Sequence, residues 1–283
     1  MTFEVKIIED SINDYGNRLT TFQLRYPKYI HAELMTHRMF SRSASSSRAI
    51  PVAQLATAAL DDMVFPIRWG MNQAGMQAKM EDLSPEDIEK AHDIWERTAK
   101  VCIGAASELS ALGLHKQWSN RLLEWFGHIS VVVTATEYDN FFHLRCHPDA
   151  QPEIQQLANM MKAAYETNTP KLLQPGEWHL PYITEEERSN DFFKIEANKT
   201  MLQKISSARC ARVSYMKHDG TLPNIDDDLF LFTRLAGSVP AHMSPLEHSA
   251  CCSNEEHFYM NLKGFISYRY FYETDNLSNL ESR

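Results

Sequence analysis

A mixed α/β (α+β) fold, a sheet combined with long helices, is what this 283-residue sequence predicts. Three observations carry that reading. Phe3 to Glu9 and Leu19 to Tyr26 alternate β-branched or aromatic residues with polar ones, the period-two signature of half-buried strands. Ser84, Pro85, Glu86 and Asp87 supply a cap, a first-turn proline and two first-turn acids for a helix that runs through Ala111 and stops at Gly113. A hydrophobic content of 43%, with 11% aromatic residues, is enough for such elements to bury a sizeable core in one large domain or two small ones.

The elements follow in order. Asp14, Tyr15 and Gly16 are turn material between the first two strands and predict a hairpin. Pro27 suits a first helical position, and YIHAELMTHRMF after it places Ile30, Leu34 and Met35 on one side, which predicts a helix with His37 and Arg38 in its last turn. Five of the eight residues from Ser41 to Arg48 are serine, and this stretch reads as a loop. Pro51 then opens an alanine-rich helix, and Gly70 to Gly75 breaks the pattern. A third helical piece spans Gln117 to Phe126. It leads into ISVVVTATEY, a strand or a buried helix by periodicity. Residues 150–167 repeat apolar positions at helical spacing. Residues 170–197, polar and proline-containing, read as a long connection or domain linker. The last third predicts a strand around Arg212 to Tyr215, a helix from Asp226 to Leu235, the segment AHMSPLEHSACC and a final strand FISYRYFY. No repeat with a period of 20 to 50 residues is visible.

A net charge of −9 and a pI near 5.7 argue against a surface built to coat nucleic acid or an anionic membrane, because phosphate binding rewards a basic face. Any phosphate site must be local. MTFEVKIIED lacks the apolar region of a leader, and no window reaches the roughly 18 apolar residues of a spanning helix, so a cytoplasmic location without a membrane partner is expected. The five cysteines form no CxxC and read as reduced, buried thiols.

Small hydroxyl residues let backbone N–H groups approach a phosphate, and an arginine adds a bidentate clamp. Ser46, Ser47 and Arg48 supply these in three residues, although composition alone favours a solvated loop or a kinase-targeted linker. His242, Ser244, Glu247 and His248 crowd a short turn. As a metal site this cluster is weak, because the proline breaks helical presentation, and no metal is predicted. Cys146 and Cys252 have no arranged base and read as packing thiols.

His37-Arg38, seven residues, Ser46, one residue, Arg48 resembles the RHR-x7-S-x-R signature of flavin-dependent thymidylate synthases, the ThyX family, with Thr36 in place of the first arginine. TTFQLRYPKYIHAELMTHR is similar to the family's strand, proline and helix before that motif. DNFFHLRCHPDAQPEIQQLA is similar to its later run and matches Asn140, Arg145 and Gln151. ARVSYMKHDG and AHMSPLEHS resemble the family's N-terminal blocks but lie at the C-terminal end, so the sequence resembles a circularly permuted member. Permutation is tolerated when termini lie close at the surface, and 170–197 would be the join.

The resemblance implies one catalytic domain over 1–283. Residues 1–169 would be the nucleotide-binding part and 198–283 the flavin-binding part. FAD would meet His37, Arg38, Asn140, Ser214, His242 and Ser244. The substrate, dUMP or a related deoxypyrimidine monophosphate, would meet Glu33, Ser46, Ser47, Arg48, Arg145 and, from a neighbouring subunit of a homotetramer, Arg121. Arg145 would act catalytically on the base. NADPH would reduce the flavin, methylenetetrahydrofolate would donate the one-carbon unit, and no cysteine nucleophile is needed. Glu33, Thr36 and Ala44 depart from the family pattern. They leave open methylation of dCMP, C5 hydroxymethylation, or a nucleotide-binding homologue without catalysis.

Overall fold

The computed structural model describes residues 1–78, 81–195, 198, 200–214 and 224–281. The predicted hairpin is present as β1 (Glu4–Ile12) and β2 (Arg18–Pro27), joined by a turn in which Gly16 takes φ +82°, a conformation glycine adopts without a Cβ clash. Pro27 ends the second strand instead of opening a helix. A 3-10 turn Lys28–Ile30 and a single helical turn α1 (His31–Leu34) follow. His37 and Arg38 therefore stand beyond the helix, in the turn before β3 (Ser41–Ala44). The predicted serine loop is thus half strand: Ser41, Arg42, Ser43 and Ala44 pair with the next sheet strand, whose neighbouring backbone outweighs the weak β-preference of serine.

Next come α2 (Val52–Asp61), α3 (Pro85–Ala111) with Ser84 capping Asp87 N, and α4 (Lys116–Ser119) with a 3-10 turn Asn120–Leu123. The ambiguous ISVVVTATEY run resolves as strand β4 (His128–Ala135). Beyond it lie α5 (Asp139–Arg145) and α6 (Pro152–Thr167). The 170–197 segment is more than a connection. It holds β5 (Lys171–Leu172), β6 (Trp178–His179), α7 (Glu185–Ser189) and a 3-10 turn Asp191–Lys194, and it buries Leu173, His179, Leu180, Ile183 and Phe193.

α8 (Met201–Ala211) runs into a 3-10 turn Arg212–Ser214, where a strand was expected. Ion pairs of Arg209 and Arg212 with the buried Asp228 anchor this stretch. Residues 215–223 and the side chain of Ser214 lie outside the described residues. α9 (Ile225–Ala236), a 3-10 turn Ser244–Glu247 and β7 (Ala250–Cys252) follow. Last come β8 (Phe258–Tyr259), β9 (Leu262–Lys263), β10 (Phe265–Ser267) and α10 (Tyr268–Glu281). The predicted final strand therefore covers only its first three residues before turning helical.

The main sheet has the order β3-β4-β2-β1-β5, antiparallel except for the short β1/β5 pair. Its two faces differ because side chains alternate along each strand. Phe22, Leu24, Tyr26, Val131, Val133 and Ala135 point to one side and pack with Ile154, Leu157 and Met161 of α6 and Phe141 of α5. Thr21 and Thr134 point to the other, where His179 of β6 and His248 of the C-terminal third cover them.

Candidate active site

β3 divides the candidate residues into two groups. At its amino end, the short helix α1 and the turn after it bring Glu33, Thr36 and His37 beside Arg145, the last residue of α5. Arg145 Nε donates to His37 Nε2 at 2.9 Å, Nη1 to Glu33 Oε2 at 3.3 Å, and Nη2 to Thr36 Oγ1 at 3.2 Å. Thr36, the departure from the family pattern, thus becomes a partner of this arginine. His37 is 9% exposed and packs edge-on against Phe141 and stacks near Phe40. Burial, with Arg145 and Arg42 beside it, pushes its pKa down to about 4. The ring is therefore neutral at pH 7 and, because Nε2 accepts, carries its proton on Nδ1. Burial raises the Glu33 carboxyl above its usual range even though Arg145 opposes the shift.

Arg38 is exposed, with no hydrogen bond or ion pair among the described residues. Arg42 instead turns back to donate to Met35 O at 2.8 Å. Asn140 is exposed in the first turn of α5. Five residues from Arg145, it lies about 140° around the helix from it, and the structure does not bring it into this group.

At the carboxyl end of β3, Ser47 is buried and donates to Glu124 Oε1 at 2.8 Å. Lys28 and Arg121 donate to the same oxygen. Asn120 ties the loop down through Ser47 O at 2.6 Å and Ile50 O at 2.9 Å. Ser46 Oγ accepts from Arg48 N at 3.3 Å, while the Arg48 guanidinium is exposed and unpaired among the described residues. Arg121, expected to serve a neighbouring subunit, is exposed and paired with Glu124 of its own chain. Burial opposes ionisation of Glu124, but bonds from Lys28 and Ser47 hold its carboxyl below the usual range.

This end opens on a cavity of about 750 Å³ whose lining includes Arg25, Lys28, Ser45, Ser47, Asn120 and His128. Asn120 Oδ1 and His128 Nε2 are buried beside it without a hydrogen-bond partner among the described residues. Sequence reasoning missed Lys28, Asn120, Glu124 and His128. Of these, only Asn120 and Glu124 had a signal, their closeness to Arg121.

His242 and Ser244 are exposed, and no hydrogen bond joins either side chain to His37 among the described residues. Their segment is nonetheless fixed to the motif strand: His248, one residue beyond the turn, bonds Ser43 on β3 at 2.9 Å, and Glu247 is bound by Arg269 at 2.6 Å. Burial raises the thiols of Cys146, Cys210, Cys251 and Cys252, the last to about 11. These four are poor nucleophiles at neutral pH. Ligand atoms of His92, Asp93 and Glu96 on α3 lie within 4.8 Å of one another, but Glu96 is already ion-paired with Lys100.

The chain is thus a mixed α/β protein with a preorganised arginine at one end of a serine-rich edge strand and two exposed guanidinium groups, Arg38 and Arg48, that are unpaired among the described residues. The family model Thy1, thymidylate synthase complementing protein, matches residues 19–171, and the chain belongs to that family. No curated protein matches it in sequence. Solved structures similar to it include the UMP/dUMP methylase PolB from Streptomyces cacaoi bound with 5-Br dUMP, at 16% identity over 58% of this chain and 90% of that one, TM-score 0.49. The same protein bound with 5-Br UMP is 17% identical over 58% of this chain and 88% of that one, TM-score 0.47. Among the described residues, no helix is long and apolar enough to cross a membrane.

Proposed function

We propose that the protein is a flavin-dependent C5 methylase of dUMP, a thymidylate synthase that uses methylenetetrahydrofolate and NADPH. Family membership supports the reaction class. The observation that carries the reading for this chain is Arg145, held by Glu33, Thr36 and His37 next to the motif strand. A guanidinium so oriented donates to a pyrimidine carbonyl and stabilises the negative charge that develops as C5 becomes nucleophilic. His37, neutral and accepting from Arg145, orients that guanidinium and does not protonate the substrate. Arg48, with the Ser46–Ser47 backbone, takes the phosphate, and Arg121 adds charge beside it.

The donor set fits a phosphate-bearing flavin, because the Arg38 guanidinium is exposed with no anionic partner among the described residues. Arg38 and His37, with Asn140, Ser214, His242 and Ser244, would hold FAD. When bound, it supplies the redox chemistry that turns a one-carbon unit at the formaldehyde level into a methyl group, with NADPH as the electron source. The chain is one catalytic domain in permuted segment order, and the bond from His248 to Ser43 supports this by joining the C-terminal block to the motif strand. The protein works in the cytoplasm as a homotetramer. Exposed Ile94 and Val101 on α3, and Trp125, supply apolar surface for subunit contacts.

Glu33 favours a second reading. Its carboxylate is an acceptor beside the Arg145 donors, a pairing that suits the amino group of cytosine and makes dCMP methylation or hydroxymethylation the alternative. The visible absorption spectrum of the purified protein, followed by titration with dUMP and with dCMP and product analysis by mass, tests both readings. Flavin bands perturbed by dUMP, with dTMP formed on turnover, are expected. A colourless protein that takes up no FAD would overturn the enzyme reading and leave a nucleotide-binding homologue.

A further inference from the structure

The polar face of the main sheet contains a line of hydrogen bonds that the proposed chemistry does not use. Ser11 Oγ meets His179 Nδ1 at 2.8 Å, and His179 Nε2 meets Thr21 Oγ1 at 2.8 Å. Thr21 Oγ1 meets Thr134 Oγ1 at 2.7 Å, and Thr134 Oγ1 meets His248 Nδ1 at 2.8 Å. His248 Nε2 meets Ser43 Oγ at 2.9 Å. Ser11, Thr21, Thr134, His179 and His248 are 0% exposed and Ser43 is 9% exposed. The line crosses β1, β2, β4 and β3 and joins the sheet to β6 and to the segment after the Ser244–Glu247 turn.

Proton counting restricts this line. Each hydroxyl has one proton to give, and a neutral imidazole has one donor and one acceptor nitrogen. If Ser11 donates to His179, every later bond runs the same way to Ser43, and both imidazoles carry their proton on Nε2. If Ser43 donates to His248, every bond reverses, and both carry it on Nδ1. A mixed pair either forfeits a donor or sets two hydroxyl oxygens 2.7 Å apart with no proton between them. A buried polar network left unsatisfied in this way is costly. Burial holds the pKa of His248 at about 3 and that of His179 well below its usual value, so both rings are neutral at pH 7.

We propose that the six groups act as one unit with two hydrogen-bond polarities, in which His179 and His248 are positioning residues of matched tautomer. The unit registers the His242–Ser244 segment against the motif strand. His248 reaches it from the residue after the turn, and Ser43 sits midway between the amino-end and carboxyl-end groups of the site. Its consequence for flavin binding rests on the proposed function; the matching of tautomers does not.

The test uses the full chain with ¹⁵N-labelled histidine. Imidazole nitrogen shifts at pH 7 should show His179 and His248 neutral and protonated at the same ring position. Opposite positions, or a charged ring, would overturn the proposal. Thr134→Val keeps the shape but removes the central hydroxyl, and Thr134→Ser keeps the hydroxyl. Thr134→Val should weaken FAD binding by about 10-fold or more, with Thr134→Ser within about 2-fold of the unaltered protein, as expected for a buried hydrogen bond left half-made. Unchanged FAD affinity in Thr134→Val would also overturn it. Should Thr134→Val fail to fold, the Thr134→Ser affinity and the unaltered protein's tautomers decide. If the unaltered protein binds no FAD, the proposed function fails, and the tautomer match alone decides this inference.

Discussion

The two ends of β3 solve the same electrostatic problem differently. At the amino end, Arg145 is fixed by a carboxylate, a hydroxyl and a neutral imidazole, all from the short stretch Glu33 to His37. At the carboxyl end, Glu124 draws together Ser47, Lys28 and Arg121, while Arg48 is exposed and unpaired among the described residues. The first arrangement preorganises one guanidinium before any ligand arrives. The second builds a rigid base for a loop whose arginine, in the proposed function, would meet the phosphate from an exposed position. Losses at the amino end should therefore appear in turnover, and losses at the carboxyl end in binding.

The sharpest way to break the contrast is Arg145→Ala. Removal of a preorganised donor to developing charge lowers kcat about 10²- to 10³-fold. Arg145→Lys should recover little, because a single ammonium cannot reproduce bonds made from Nε, Nη1 and Nη2 at once. Steady-state kinetics with dUMP provide the check, and a change confined to KM would contradict the assignment.

Acid loads both ends through stability, because burial holds His128 at the carboxyl-end cavity at about 4 just as it holds His37 at the amino end. His37 and His248 have folded pKa values of about 4 and about 3, and His179 lies well below its usual value. Their unfolded values are near 6.5. Below pH 6.5 the unfolded chain binds more protons than the native one at these rings. Their stabilisation is thus full above pH 6.5 and falls on acidification, by about 1.4 kcal/mol per pH unit for each ring that stays neutral. Glu9, raised from an ordinary 4.5 to about 7 by burial against the pull of Arg188, acts in the opposite sense between those two values. The decline should steepen below pH 4.5, where that compensation ends. Urea unfolding midpoints at pH 7.5, 5.5, 4.5 and 3.5 measure it, and a flat profile would mean that these rings are not held neutral.

Arg48→Ala tests the carboxyl end. Its exposed guanidinium has no partner to lose among the described residues, so folding stability should change by less than about 0.5 kcal/mol. The affinity for dUMP, by calorimetry, should fall about 10-fold, the scale of one charge-assisted contact. An equal loss of stability would show that the side chain is structural.

Much of this arrangement was legible in the sequence, and the unreadable parts share a cause. The hairpin, the capped helix α3, α6 and α9 are written in local patterns of period two or 3.6, and the motif from His37 to Arg48 is written in spacing. Local pattern could not tell that Ser41–Ala44 is a strand, because that depends on β4 lying alongside. Nor could it tell that FISYRYFY turns helical after Ser267. The site partners were hidden for the same reason: Glu124 lies 77 residues from Ser47, and His248 lies 205 residues from Ser43. His179, inside a stretch that reads as a linker, carries no local mark of being fully buried.

Arg121 gives the smallest and most discriminating test. It is exposed and bound to Glu124, which Lys28 and Ser47 also hold. Exposed pairs of this kind contribute between about 0 and 1 kcal/mol, and Glu124 keeps two other donors, so Arg121→Ala should leave the unfolding free energy within about 0.5 kcal/mol of the original. If the arginine serves only its own chain, affinity for dUMP should also stay within about 2-fold, as for a solvent-screened charge. If it leaves Glu124 to reach a phosphate held by a neighbouring subunit, affinity falls about 10-fold with stability unchanged, and the fall vanishes under conditions that dissociate the oligomer. Calorimetric titration above and below the dissociation concentration separates the two, and decides whether the carboxyl end of β3 is completed within one chain or between chains.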